Sequence, residues 1–269
     1  MTYVYGLVHS SSPQPASDDT GNVLNKHQSS NTDYLKNSVC QSYLEVVDGK
    51  IMRKPKIAEG ARRLFQPPLP NNQVEEVSKK IEKLAKAYGL PIMAYCTRKL
   101  LVNIIRKIRP QRILEIGTLL GYSTILIGSE LDKDAEIVTV EIVREIAQMA
   151  QENIRRARIL PTVRIMVGDA REIIPKLEGE FDLVFIDGEK KEYLDYMRAV
   201  ESKLHTSSVV VADNAGLLSE GMQDYLNYVR SSGKYESKYI ASEEDGIVRL
   251  VYEDGIHEGI DGVEVSKKL

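Results

Sequence analysis

The chain has 269 residues, 42% of them hydrophobic and 28% charged, with a formal net charge of −3. That length can bury a sizeable core, and the slight acidity gives no global attraction to nucleic acid or to an anionic membrane. Two cysteines, Cys40 and Cys96, with no CxxC spacing argue against a disulfide framework and a thiolate zinc site, while the lack of a leader or of 18 consecutive apolar residues predicts a cytoplasmic protein with no membrane partner.

Residues 9 to about 40 are rich in Ser, Asn, Gln, Asp and Pro and read as a flexible arm. In YLEVVDGKIM (43–52), two short apolar runs around Asp48-Gly49 signal a hairpin, and the prolines of FQPPLP (65–70) read as a linker. A first helix is expected from Asn72, where Asn72 and Glu75 have capping-box spacing and Val74, Val77, Ile81, Leu84, Ala85 and Tyr88 share one face. A second, from Thr97 to Pro110, turns Leu100, Leu101, Ile104, Ile105 and Ile108 inward.

Apolar runs near 112–116, 136–140, 163–167, 181–186 and 207–212 then alternate with amphipathic segments near 122–130, 142–158, 171–178, 190–203 and 219–231. This alternation predicts a doubly wound α/β fold, a buried and mostly parallel sheet with helices on both faces. Two further strand-like runs, 235–240 and 246–252, joined by the polar ASEED, predict an antiparallel pair at one edge. The expected organisation is an N-terminal extension over 1–70, one regular domain over 71–254 and a tail over 255–269.

In such sheets ligands sit beyond the carboxyl ends of the strands, so the residues closing each apolar run matter most. The first end, ILEIGTLLGYST, spaces Gly117 and Gly121 as G-x-x-x-G, which differs from the dinucleotide and P-loop patterns and disfavours an NAD-dependent dehydrogenase. The second ends in Glu141, placed to accept hydrogen bonds from ribose hydroxyls or, more simply, to favour a helix N-terminus. The third reads VGDA, with Asp169 and Ala170 placed to flank an adenine, or Asp169 to cap a helix. The fourth closes on Asp187, with Lys190 following, and the fifth on adjacent Asp213 and Asn214. Three oxygen-bearing side chains without His or Cys suit a hard divalent cation such as Mg²⁺ better than zinc.

With LEIGTLLGYS, TVEI, GDA, FIDGEKKEY and ADN in this order, residues from about 90 to 252 resemble the class I, metal-dependent O-methyltransferases, the group containing catechol and caffeoyl-CoA O-methyltransferases. The resemblance implies a seven-stranded Rossmann-like sheet and S-adenosylmethionine (SAM) as methyl donor. Its methionine portion would be surrounded by Glu115, Gly117, Thr118, Gly121 and Ser123, with Asp187 also at the donor site, its ribose bound by Glu141 and its adenine flanked by Asp169 and Ala170. It further implies Mg²⁺ or Mn²⁺ on Asp187, Asp213 and Asn214, Lys190 as general base or oxyanion stabiliser, and a homodimer.

The expected acceptor is a hydroxylated small aromatic or heterocyclic molecule. The chain departs from the catechol enzymes in having no Trp and in placing Glu189 immediately before Lys190, which points to a more polar acceptor. The alternative acceptor is 5-hydroxyuridine in tRNA, for which Arg155, Arg156, Arg158 and Arg164 could form a phosphate patch, although a solvated helix face explains them equally simply. An alternative of another class is a non-catalytic nucleoside-binding subunit.

Overall fold

Along the central strands apolar residues alternate between two faces, and each face builds its own core. Ile113, Ile137, Leu183, Phe185 and Val211 point one way, whereas Leu114, Ile116, Val138, Val184, Ile186 and Val210 point the other. A strand buried on both faces needs helices on both sides, which is the arrangement found. The computed structural model describes residues 4–5, 44–47, 50–53, 73–241, 248–252 and 255–269. The arm expected over 9–40, the linker over 65–70, Asn72 and Cys40 lie outside these.

In chain order the strands are Val4–Tyr5 (β1), Leu44–Val47 (β2), Lys50–Arg53 (β3), Arg112–Ile116 (β4), Glu136–Glu141 (β5), Thr162–Val167 (β6), Phe181–Ile186 (β7), Leu204–Ala212 (β8), Tyr235–Ala241 (β9), Val248–Tyr252 (β10), Gly255–Gly259 (β11) and Gly262–Lys268 (β12). The helices are Gln73–Tyr88 (α1), Tyr95–Ile108 (α2), Tyr122–Ser129 (α3), Arg144–Ala157 (α4), Ala170–Ile173 (α5), Tyr193–Val200 (α6) and Gln223–Ser231 (α7). Seven strands form the main sheet in the order β6-β5-β4-β7-β8-β12-β9. Strands β6, β5, β4, β7 and β8 are parallel, and β12 runs antiparallel to both β8 and β9. The doubly wound, mostly parallel sheet with an antiparallel C-terminal edge is therefore as expected. A separate hairpin pairs β2 with β3.

The partner of β9 differs from the expected one. It is Gly262–Lys268, with Val263 opposite Ile240, whereas 248–252 pairs with β11 and with β1 in a small second sheet. The main sheet thus extends beyond 254, and residues assigned to a tail supply its penultimate strand. Both runs follow an Asp-Gly, and the more apolar of the two, VRLVY, is the one outside the main sheet, so local pattern points to the wrong one. Polar side chains also disguise β12. Glu264 is fully buried, yet it accepts two hydrogen bonds from Arg230, at 2.9 and 2.6 Å, and one from Ser237.

Helices α1 and α2 cover the first core face, burying Val77, Ile81, Leu84, Leu101 and Ile105. The apolar stripes of these two helices are therefore largely occupied by the chain's own core. Helix α2 begins at Tyr95, two residues before Thr97, and stops at Arg109, whose left-handed φ of 47° precedes Pro110. Pro175 limits α5 to Ala170–Ile173, followed by a short 3₁₀ turn.

Candidate active site

Parallel pairing brings the ends of β5, β4, β7 and β8 side by side. Gly117 N–H donates to Val140 O at 3.1 Å, Asp187 N–H to Ile116 O at 2.9 Å and Asp213 N–H to Ile186 O at 3.0 Å. Residues far apart in sequence thus line one crevice at the carboxyl edge of the sheet.

The glycines of the first loop answer to protein contacts. Gly117 has a φ of 98°, and a Cβ there would lie 2.3 Å from the carbonyl oxygen of Asp187. A Cβ at Gly121, φ 78°, would press on Ile154 of α4 at 3.1 Å. Only glycine lets the loop pass this close to β7 and α4 in that conformation. Thr118 is also turned into the structure, its hydroxyl sharing a 2.6 Å hydrogen bond with Thr139.

Glu141 is buried at the next strand end, and its carboxylate gathers the turn. It accepts from Leu119 N–H and Val143 N–H, both at 2.9 Å, holding the glycine loop against the start of α4. Each carboxylate oxygen can accept more than one hydrogen bond, so this anchoring leaves capacity for hydroxyl groups. Beside it Ile142 is 63% exposed, an apolar surface against which a planar base could pack. Asp169 caps α5, its Oδ1 accepting from Arg171 N–H at 2.8 Å, while the Arg171 guanidinium grips both oxygens. Arg171 thereby holds the carboxyl below its ordinary range. Ala170 is buried at the first turn of that helix.

Glu115 is different. It lies fully buried beneath α3, where Thr124 donates to Oε2 and the hydroxyls of Ser123 and Thr139 lie close, but Oε1 has no partner of good geometry. Desolvation pushes its pKa up to about 7, against these hydroxyls and with help from the charge of Asp187. An orphaned carboxylate oxygen under the glycine loop fits a ligand offering a cationic donor.

Asp213 repeats this pattern at the end of β8. One oxygen accepts from Asn214 N–H at 2.8 Å, while Oδ2 is buried without a partner. Burial raises its pKa well above the usual carboxylate range, and the neighbouring Asp187 and Asp261 carboxylates raise it further. Asn214 has a left-handed φ of 60°, which asparagine tolerates better than most residues. Among the described residues no group of three His, Cys, Asp or Glu could hold a metal. The donor set here is instead two carboxylates and an amide, and the excess buried negative charge fits a hard cation.

Lys190 is buried, unlike the solvated lysine that position alone would suggest. Its Nζ donates to Asp187 Oδ1 at 3.2 Å, Gly188 O at 3.3 Å and Tyr193 Oη at 2.7 Å, and it lies 5.0 Å from the Tyr193 ring centroid. The Tyr193 hydroxyl donates to the carbonyl of Ile186 at 3.2 Å. Tyr193 was not singled out in the sequence, although its position one helical turn after Lys190 was a signal. Asp261 was likewise missed, because the chain before β12 read as tail.

The arginines do not form a phosphate patch of free cations. Arg155 and Arg156 both pair with Glu152, and Arg164 pairs with Glu136. Among the described residues no helix is long and apolar enough to cross a membrane.

A family model described as O-methyltransferase matches residues 73–230. Catechol O-methyltransferase B of Danio rerio is 33% identical over 166 residues, covering 57% of this chain and 62% of that protein. Catechol O-methyltransferase of Niastella koreensis is 36% identical over 137 residues, covering 49% and 62%. The chain thus spans about three fifths of the length of these relatives. Among solved structures, an O-methyltransferase from Bacillus cereus in complex with SAH aligns with a TM-score of 0.60 at 21% identity, over 80% of this chain and 97% of that one, which establishes the shared fold.

Proposed function

The chain belongs to the O-methyltransferase family, and from that premise we propose that it moves the methyl group of SAM onto one of two neighbouring oxygens of a small aromatic or heterocyclic acceptor, with Mg²⁺ or Mn²⁺ held by Asp187, Asp213 and Asn214. The observation that carries this reading is the partnerless, buried Asp213 Oδ2 beside Asp187 and Lys190, at the same carboxyl edge of the sheet as Glu115 and Glu141. Buried negative charge without a counterion is costly, and a divalent cation removes the cost.

Glu115 would receive the amino group of the donor, Glu141 its ribose, and Asp169 with Ala170 its adenine, while Ile142 supports the base. When bound, the cation would chelate two adjacent acceptor oxygens and acidify one hydroxyl. Lys190 has three acceptors around its three N–H directions, the pattern of an ammonium held in place. With one of these hydrogen bonds exchanged for the acceptor, Lys190 in its ammonium form would stabilise the acceptor oxyanion and orient it toward the sulfonium methyl. The hydroxyl proton would leave to solvent, and the oxyanion would form the new C–O bond as the C–S bond breaks, leaving a neutral thioether and a methyl ether. Glu189, partly exposed immediately before Lys190, favours an acceptor with polar substituents.

The test is methyl incorporation from radiolabelled SAM into catechols, caffeoyl-CoA and undermodified tRNA, with and without Mg²⁺. Metal-dependent label on a small diol is expected, with label lost in Asp213→Ala. Label on tRNA alone would overturn the acceptor class. No label on any acceptor despite tight SAH binding would leave a nucleoside-binding subunit.

A further inference from the structure

We propose that Asp261 is a positioning residue for the cation site, fixing which way the Asn214 amide faces. This inference rests on the reading of Asp187, Asp213 and Asn214 as ligands. Asp261 is fully buried at the entry to β12. Its Oδ2 accepts from Asn214 Nδ2 at 2.8 Å, and its Oδ1 accepts backbone N–H groups of Gly262 at 2.9 Å and of Gly216 and Leu217 at 3.2 Å each.

An ionised carboxylate only accepts hydrogen bonds, so Asn214 gives Asp261 its NH₂ and keeps its carbonyl oxygen for a cation. Without this partner the amide could rotate and present N–H groups, which repel a metal. Asp261 also ties down Gly216 and Leu217, which follow the two ligands in the chain. The residue that leads into the chain's final strand, remote in sequence from the ligands, thus sets the polarity of one of them.

Asp261→Asn separates this role from packing. The new side chain is isosteric, and its oxygen can still serve the three backbone N–H groups. Its NH₂ then faces Asn214, so the Asn214 amide must turn and offer N–H to the cation. Combining it with Asn214→Asp restores a donor–acceptor pair in reverse, with unchanged net charge and three carboxylates for the metal.

Mn²⁺ binding to the protein saturated with SAH, followed by loss of the free-ion EPR signal, is expected to weaken about 10- to 100-fold in D261N. The double variant D261N/N214D is expected to recover most of that loss, with SAH affinity steady throughout. Wild-type Mn²⁺ affinity in D261N, or a loss that the swap leaves intact, would overturn the proposal.

A second readout is independent of metal. The Asn214 side-chain NH₂ protons in metal-free wild-type protein should be protected from solvent exchange in NMR spectra, and unprotected protons there would also overturn the proposal. If wild-type protein binds no Mn²⁺ while this protection is present, the cation reading fails and the Asp261–Asn214 orientation stands. Should D261N fail to fold, the wild-type exchange measurement and the swapped pair still decide.

Discussion

Glu141 and Asp169, at the ends of β5 and β6, carry the same charge as Glu115 and Asp213 on the β4 and β8 side, yet the fold treats the two pairs oppositely. The first pair is anchored by N–H donors: two backbone amides on Glu141, and a helix amide with a guanidinium on Asp169. The second pair is buried with one oxygen each unpartnered, and both pKa values are raised. Anchored carboxylates shape the crevice, whereas the partnerless ones mark where positive charge from a ligand is missing.

The largest effect expected from this contrast is at Asp213. Asp213→Asn should reduce metal-dependent methyl transfer at least about 100-fold, since even outer partners of metal sites cost about 10- to 100-fold. In the ligand-free protein the same change should stabilise by about 1 kcal/mol, because it removes a buried carboxyl whose ionisation burial and the Asp187 and Asp261 carboxylates oppose. Parallel turnover and thermal-unfolding measurements check both signs. A similar stabilisation of the ligand-free protein by Asp169→Asn would break the contrast.

Glu115 gives the next effect. Its folded pKa of about 7 lies above the ordinary glutamate value of 4.5. Protonation therefore favours the folded state, and stability falls as pH rises between those values and levels off above the folded one. From pH 6 to 8 the ligand-free protein should lose about 1 kcal/mol through this group. Glu115→Gln should flatten that part of the profile and weaken SAH binding, measured by calorimetry; an unchanged profile would remove Glu115 from the second class.

Asp169 should behave in the opposite sense. Its folded pKa is lowered, so its stabilisation is present above the unfolded pKa and fades as pH falls through the folded one. Asp169→Ala should cost about 1 kcal/mol of cap stability at pH 7 and less at acid pH. The smallest effect is expected away from the crevice, where His205 contacts Asp182 at 3.0 Å with both side chains over one third exposed. The His205 pKa is raised, chiefly by the Thr206 carbonyl and then by Asp182. That stabilisation is complete below the unfolded pKa and is lost as pH rises through the folded one. His205→Gln should change stability by no more than about 0.5 kcal/mol in unfolding titrations.

Much of this was legible in the chain. Apolar runs closing on Glu141, Gly168-Asp169, Asp187 and Asp213-Asn214 specify parallel strands and place polar groups at their carboxyl ends, because strand period and strand end are local properties. The same local properties misled at the C-terminus. Residues 246–252 are the more apolar run, whereas the apolar residues of β12 are interleaved with Glu264 and Ser266, whose burial becomes tolerable only once Arg230 and Ser237 reach them.

Sequence alone determined the five parallel strands, the order of their ends and the residue types gathered there. Tertiary structure decided which late strand enters the sheet, that Gly117 is required by the carbonyl of Asp187, and that Asp261 stands against Asn214. Hydrogen bonding across 47 positions leaves no periodic trace in a sequence; its energy exists only after the sheet has closed.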